Sequence, residues 1–182
     1  MDRVGSGQGT LTSAKIVITG GLGTGKSTFL GSLTDAMPLP TAVAVPDTIP
    51  EFGDYPGVLT DFGRVPMDAD LVLYLFATPG QQRFRSVWDE LARAAIGAVV
   101  LVDPHRLAES SAAVDYFAGR GLPYVLAVNA FGDRASGGGP DVPHLVRRSL
   151  RADPDVPVVT CDARDRRFTK AALTTLVEHA MR

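Results

Sequence analysis

The stretch that decides the fold covers residues 20 to 27 and has the sequence Gly-Gly-Leu-Gly-Thr-Gly-Lys-Ser. It matches the pattern G-x-x-x-x-G-K-[ST], in which glycines let the backbone wrap closely around a phosphate group. The preceding residues, Ala14 to Thr19, are rich in β-branched side chains and predict a buried strand, whereas apolar residues recur at helical spacing in Thr28 to Ala36. A phosphate would therefore meet both backbone N–H groups and the positive end of a helix. An incidental glycine-rich turn is the alternative.

Two side chains of this loop have expected chemical roles. Lys26 is expected to reach the β- and γ-phosphates of a nucleotide as a point charge, and we count it among the catalytic residues. The hydroxyl group of Ser27 is expected to bind Mg²⁺. The residues predicted to contact the nucleotide here are Gly20, Gly21, Leu22, Gly23, Thr24, Gly25, Lys26, Ser27 and Thr28.

Length, charge and cysteine content exclude several classes of function. The 182 residues suit one domain, and a net charge of −2 without a basic block argues against nucleic-acid binding. Cys161 is the only cysteine and no signal peptide opens the chain, so a reducing, cytoplasmic setting is expected. The apolar runs are too short to span a bilayer. We therefore expect no direct membrane insertion, and recruitment to a membrane surface would depend on a partner.

The order of predicted elements indicates an α/β protein. Residues 1–13 predict a flexible leader ahead of a single domain, residues 14–182. Residues 37–57 contain five prolines and predict a long functional loop or a partly disordered one. The strands at residues 58–65 and 71–76 then predict an antiparallel hairpin. The following elements are a helix at about 84–95, a strand at 98–102, a helix at 107–120, a strand at 124–128, a helix at 142–151, a strand at 156–160 and a helix at 169–181. This alternation predicts three α/β/α layers around a mostly parallel, six-stranded sheet with one antiparallel strand.

A second motif, Ala77-Thr78-Pro79-Gly80-Gln81, directly follows the strand at 71–76. Because ligands of such sheets bind beyond the carboxyl ends of the strands, this segment should lie near the phosphate loop. The N–H group of Gly80 can then bond a terminal phosphate oxygen, and Gln81 can orient a water molecule. A plain Pro-Gly turn is the alternative, but the combination with the phosphate loop favours the catalytic interpretation.

These motifs, together with the later segments V-N-A-F-G-D and C-D-A-R-D, resemble a Ras-like small GTPase over residues 14–181. A closer similarity is to the bacterial conservon-type GTP-binding proteins, relatives of the gliding-motility polarity GTPases. The segments that carry it are LVLYLFATPGQQRF, IGAVVLVD, AVDYF and VPVVTCDARD. This resemblance implies a GTP/GDP switch that uses Mg²⁺, with a roadblock-type homodimeric regulator as partner and an associated sensor-kinase-like membrane protein.

The resemblance also implies how the base is bound, although one motif is altered. The family's N-K-x-D motif stacks its lysine on the base and hydrogen-bonds guanine through its aspartate. Here Asn129 matches, Ala130 replaces the lysine, Phe131 offers stacking surface instead, and Asp133 comes one residue late. The altered motif leaves the choice between guanine and adenine open, because rejection of adenine requires the carboxylate to reach the base.

A second base-binding loop corresponds to the family's S-A-K motif. Ala163 matches the alanine whose N–H group meets the guanine oxygen, and Arg164 matches the long side chain that covers the base. A solvated arginine is the alternative for Arg164.

Three departures from the family pattern predict slow hydrolysis. The magnesium-linked aspartate is replaced by Ala77, for which Asp61 could substitute through a water molecule, although an exposed strand carboxylate is the alternative. Thr48 and Thr60 are the candidates for the threonine of the first switch loop. Leu22 is the third residue of the phosphate loop, and in the family a side chain at that position crowds the water-positioning glutamine. The sequence thus predicts a nucleotide switch with low intrinsic hydrolysis, or alternatively a nucleotide-bound scaffold with little or none.

Overall fold

A seven-stranded sheet forms the centre of the part of the chain that the structure describes. The structure is a computed structural model, and it describes residues 12–34, 39–44, 57–67, 70–79, 85–129 and 141–182. The strands are β1 (Thr12–Gly20), β2 (Leu39–Ala44), β3 (Gly57–Pro66), β4 (Leu71–Ala77), β5 (Ala95–Val102), β6 (Tyr124–Asn129) and β7 (Val158–Cys161). The helices are α1 (Lys26–Leu33), α2 (Arg85–Ala92), α3 (Ala108–Gly119), α4 (Val142–Ser149) and α5 (Arg166–Ala180).

The strand order is β2-β3-β4-β1-β5-β6-β7. Strand β3 runs antiparallel to both β2 and β4, whereas the other neighbouring pairs are parallel. The predicted fold class, the hairpin of β3 and β4, and the single antiparallel strand are confirmed. The predicted number of six strands is one too low, because β2 lies within residues 37–57, which we predicted to be a loop.

The missed strand has a physical explanation in its position. Strand β2 lies at the edge of the sheet, where Pro40 can be accommodated because β3 is its only hydrogen-bonded neighbour among the described strands. The start of the first strand also differs from the prediction, since β1 begins at Thr12, which pairs with Leu71. Two residues of the predicted leader therefore belong to the sheet, and residues 1–11 lie outside the described part of the chain.

Both faces of the sheet are covered by helices, which gives the three predicted layers. On one face, strand residues pack against α2, α3 and α4 in a cluster that contains Trp88, Phe117 and Val146. On the other face, they pack against α1 and α5 in a cluster that contains Phe29 and Leu173. The parallel strands consequently end at one common edge, where the loops after β1, β5 and β7 and the first two residues after β4 come together.

Within the segments that the structure describes, no helix is long and apolar enough to cross a membrane.

Candidate nucleotide-binding site

The predicted phosphate loop connects the end of β1 to the start of α1. Gly20, Gly23 and Gly25 have positive φ angles of 137°, 71° and 98°, which side chains other than glycine rarely adopt. A β-carbon at Gly20 would also lie only 2.3 Å from the carbonyl oxygen of Leu101 on β5. The glycines therefore let the loop turn tightly against the neighbouring strand.

Lys26 lies inside this loop. Its Nζ atom donates hydrogen bonds to the carbonyl oxygens of Gly20 at 3.2 Å and Gly21 at 2.6 Å. Burial lowers the pKa of Lys26 from 10.5 to about 8, although the carboxylate of Glu109 acts in the opposite direction. The loop thus holds a partly desolvated ammonium group whose charged form an anionic ligand would stabilise.

The lowered pKa of Lys26 predicts that nucleotide binding takes up protons at alkaline pH. Near pH 8 only about half of these ammonium groups carry a charge, and a bound phosphate raises the pKa because it favours the charged form. Affinity is therefore expected to fall as the pH rises through about 8. Isothermal titration calorimetry in two buffers of different ionisation enthalpy should show greater proton uptake at about pH 8.5 than at about pH 7. Equal uptake at both values would contradict the lowered pKa.

Asn129, at the end of β6, joins the phosphate loop to the loop after β7. Its Nδ2 atom donates to the carbonyl oxygen of Thr24 at 2.9 Å, and its Oδ1 atom accepts from the N–H group of Ala163 at 3.0 Å. Asn129 and Ala163 are both buried. The structure therefore brings together three predicted site residues from three separate segments.

Replacement of Asn129 by alanine is expected to destabilise the protein by at least about 2 kcal/mol. The change leaves two buried backbone groups without partners, and each costs about 1–3 kcal/mol. Chemical denaturation of the nucleotide-free protein measures the effect. Ser111→Ala serves as the control, because it removes a hydroxyl group that bonds Ala108 on the exposed surface of α3. Equal stabilities of the two variants would mean that the Asn129 bridge contributes nothing.

Hydroxyl groups connect the ends of β1, β3 and β4 beside the loop. The Oγ1 atoms of Thr78 and Thr19 lie 2.9 Å apart, and the N–H group of Thr78 donates to Ile18 O at 2.8 Å. The hydroxyl group of Thr60 donates to the carbonyl oxygen of Ala77 and is buried within the sheet. Thr60 therefore has a structural partner, and the other switch candidate, Thr48, lies outside the described residues.

Ser27 and Asp61 lie on the same side of the sheet. Asp61 is two residues before Gly63, so its side chain projects from the same face of β3. That face is covered by α1, because a β-carbon at Gly63 would lie 2.9 Å from Thr34 Cγ2 and 3.7 Å from Leu30 Cδ2. Ser27 is the second residue of α1 and is exposed, whereas Asp61 is half-buried.

In the loop after β7, the carboxylate of Asp162 orients the side chain of Arg164. Arg164 donates from Nε to Asp162 Oδ1 at 2.9 Å and from Nη2 to Asp162 Oδ2 at 2.7 Å. The hydrogen bond from Arg164 lowers the pKa of Asp162. Cys161, just before this pair, is buried, which raises the pKa of its thiol to about 12. The loop thus carries an oriented guanidinium group, and the buried thiol that precedes it is unreactive.

Four predicted site residues, Gly80, Gln81, Phe131 and Asp133, lie outside the described residues, so their roles stay predictions.

The structure does describe Pro79, immediately before Gly80. The indole Nε1 atom of Trp88 on α2 donates to the carbonyl oxygen of Pro79 at 3.2 Å. Leu22, in the loop after β1, is 60% exposed, and Thr28, in α1, is also exposed.

Sequence reasoning missed a charged cluster on the turn between β5 and α3. The Nε atom of Arg106 donates to Asp103 Oδ2 at 2.9 Å, and its Nη1 atom lies 3.2 Å from Glu109 Oε2. Burial alone would raise the pKa of Asp103, but hydrogen bonds from His105 and Arg106 bring it below its usual value. These residues follow the carboxyl end of a parallel strand, and this position is the sequence feature that could have identified them as part of the site.

This charged cluster touches the phosphate loop. A β-carbon at Gly21 would lie 2.6 Å from Glu109 Cβ, and one at Gly23 would lie 3.4 Å from Arg106 Nη2. The loop is therefore enclosed by the β5–α3 turn as well as by Asn129.

The fold resembles solved structures of GTP-binding proteins. The cytosolic domain of the T. maritima FeoB iron transporter has 15% identity and a TM-score of 0.67, with 94% of this chain and 65% of that chain covered. The Arl6 small GTPase of Trypanosoma brucei, bound to the analogue GppNp, has 14% identity and a TM-score of 0.63, with 93% and 98% covered. Aquifex aeolicus Era, bound to GDP and AlF4⁻, has 14% identity and a TM-score of 0.62, with 92% and 56% covered.

The chain thus spans about two thirds of the length of the FeoB cytosolic domain. At such low identity these likenesses establish the fold alone. No curated protein sequence matches the chain.

The sheet order, the phosphate loop and these likenesses define a protein with the phosphate-loop GTPase fold. The chain belongs to the family described as conserved hypothetical ATP binding protein, which matches residues 59–182. This match begins after the phosphate loop, so the loop supports phosphate binding independently of the family match.

Proposed function

We propose that the protein is a guanine-nucleotide-binding regulatory switch that binds GTP and GDP and hydrolyses GTP slowly. The observation that carries this proposal is the bridge made by Asn129, which holds the phosphate loop at Thr24 and the loop after β7 at Ala163. One side chain thereby fixes the distance between the predicted phosphate site and the predicted base site. Lys26, half-buried in the loop, supports the same proposal because an anionic partner would stabilise its charged form.

The residues present fit a magnesium ion bound together with the nucleotide. Mg²⁺ prefers oxygen ligands and in nucleotide sites is held by one or two protein groups together with substrate phosphates. The hydroxyl group of Ser27 would bind it directly, and Asp61, on the same side of the sheet, would act through water. When bound, the ion would neutralise charge on the terminal phosphates.

The identity of the base is the first point to test, because the family description names ATP whereas the resemblance to small GTPases favours guanine. A thermal-shift panel with GDP, GTP, ADP and ATP, each with and without Mg²⁺, separates these alternatives. At ligand concentrations about 100 times the dissociation constant, binding adds about 2.7 kcal/mol to stability. We expect stabilisation by GDP and GTP. Stabilisation by ADP and ATP alone would overturn the guanine assignment, and no response to any nucleotide would overturn the switch itself.

The second point is hydrolysis, for which a scaffold that retains its nucleotide is the alternative. Leu22 and Ala77, which depart from the family pattern, motivate this alternative. Single-turnover phosphate release with Mg²⁺ should be slow in the wild type, slower in Gln81→Leu and faster in Leu22→Gly, where crowding of the glutamine is relieved. No release from any of the three proteins, even with a partner present, would favour the scaffold.

The partner is proposed from the resemblance to conservon-type proteins. We propose that a roadblock-type homodimer reads the nucleotide state, and that a sensor-kinase-like protein recruits the pair to the membrane surface from the cytoplasm. Pull-down of such a homodimer by the GTP-loaded and GDP-loaded protein tests this proposal. Equal binding in both states would argue against a switch that this partner reads.

A further inference from the structure

Arg106 directs one edge of its guanidinium group toward the phosphate loop. Its Nε and Nη1 atoms are used by Asp103 and Glu109. Its Nη2 atom makes no hydrogen bond within the part of the chain that the structure describes, and it lies 3.4 Å from where a β-carbon on Gly23 would be. The planar guanidinium group carries its donors in a fixed geometry, so the two carboxylates determine where the third nitrogen points.

Gly23 leaves space for this approach. It has no side chain, is exposed and has a φ angle of 71° in the middle of the loop. The side chain of Arg106 is 45% exposed, so solvent and salt screen its charge. Arg106 is thus a cation beside the segment that would surround the nucleotide phosphates, and it lies on a different element from Lys26.

We propose that Arg106 is an additional nucleotide-binding residue that attracts the phosphate chain across Gly23, an inference that rests on the proposed nucleotide-binding function. Asp103 and Glu109 act as positioning residues that orient the guanidinium group. The ligand class is a nucleoside di- or triphosphate, because a second cation adds most where phosphate charge is concentrated.

A purely structural role is the competing explanation, since Arg106 and Glu109 form an i,i+3 pair on a helix start. Such surface pairs contribute little to stability. Arg93 provides a matched control because it also forms an i,i+3 pair, with Glu90 at the same distance of 3.2 Å. It precedes β5 and therefore lies at the opposite edge of the sheet from the phosphate loop.

The experiment measures the dissociation constants of fluorescent GDP and of a fluorescent non-hydrolysable GTP analogue in the presence of Mg²⁺. The proteins are the wild type, Arg106→Met, Arg106→Lys and Arg93→Met. We expect Arg106→Met to weaken both ligands by about 10-fold, Arg106→Lys to recover part of the loss, and Arg93→Met to match the wild type. At about 1 M salt, where the screening length is about 3 Å, the difference should shrink.

Two readouts separate this inference from the proposed function. Wild-type affinity in Arg106→Met, or a loss that does not respond to salt, would overturn the role of Arg106 while nucleotide binding stands. The denaturation midpoint of nucleotide-free Arg106→Met should lie below that of Arg93→Met, because the buried Asp103 carboxylate loses its partner, yet leave the protein folded at the assay temperature. A variant that is unfolded at that temperature would mean a structural role. Absence of nucleotide binding by the wild type would overturn both proposals.

Discussion

Lys26→Ala is expected to weaken nucleotide binding by at least about 100-fold without unfolding the protein. A hydrogen bond to a charged group contributes about 1.5–3 kcal/mol, and an ammonium group in the loop can bond more than one phosphate oxygen. The variant loses the hydrogen bonds to the carbonyl oxygens of Gly20 and Gly21, but it also removes a charge whose burial lowers its pKa to about 8, and these two effects on stability oppose each other. Equilibrium titration with labelled GDP measures the affinity, and thermal denaturation without nucleotide measures stability.

Lys170→Ala is the control for this change, because Lys170 is exposed on α5. It should bind nucleotide as the wild type does. Wild-type affinity in Lys26→Ala would contradict the assignment of residues 20–27 as the phosphate site, whatever the identity of the base.

Gly20→Ala is expected to destabilise the protein by about 3 kcal/mol or more. The new β-carbon would lie 2.3 Å from the carbonyl oxygen of Leu101 and 2.9 Å from Thr24 Oγ1, at a φ angle of 137°. Relief requires a backbone shift in β1 or β5, and both strands are buried in the centre of the sheet. Strain of this kind belongs to the mechanisms that cause large destabilisation. Chemical denaturation is the appropriate measurement.

Gly31→Ala provides the contrasting control. Gly31 lies within α1, and among the described residues no atom beyond its chain neighbours and the backbone of its own helix lies within 4 Å of the position of an added β-carbon. Alanine is favoured over glycine in helices by about 0.8–1.0 kcal/mol, so this variant should be more stable than the wild type. If both glycine variants changed stability in the same direction, the close contact at Gly20 would not govern the effect.

The sequence predicted the strand, tight turn and helix around residues 20–27 well because their determinants are local. The glycine positions, Lys26 and Ser27 are close in the chain, and the flanking strand and helix have clear periodicities. The three-layer architecture was also predictable, because alternating strands and helices allow few arrangements. Strand β2 was missed because it is recognised by its pairing with β3, whereas the five prolines of residues 37–57 argued for a loop.

Contacts between distant segments could not be predicted from these patterns. Asn129 was identified as a base-site residue, but its hydrogen bond to Thr24 depends on the position of β6 relative to the phosphate loop. Arg106 was missed because its contact with Gly23 requires β5 to lie beside β1. Ala163 was expected to meet the base with its N–H group, and the structure places that group on Asn129. Sequence motifs identify residue types, whereas the sheet order determines which of them meet.

The hydrogen bond from Trp88 to Pro79 gives the protein a built-in optical probe. Trp88 is the only tryptophan of the chain, and its indole group bonds the residue that precedes Gly80 and Gln81. Its ring also contacts Tyr116 on α3, with centroids 5.3 Å apart. Any movement of the segment after β4 would alter the surroundings of this indole, so its intrinsic emission reports on that segment without an attached label.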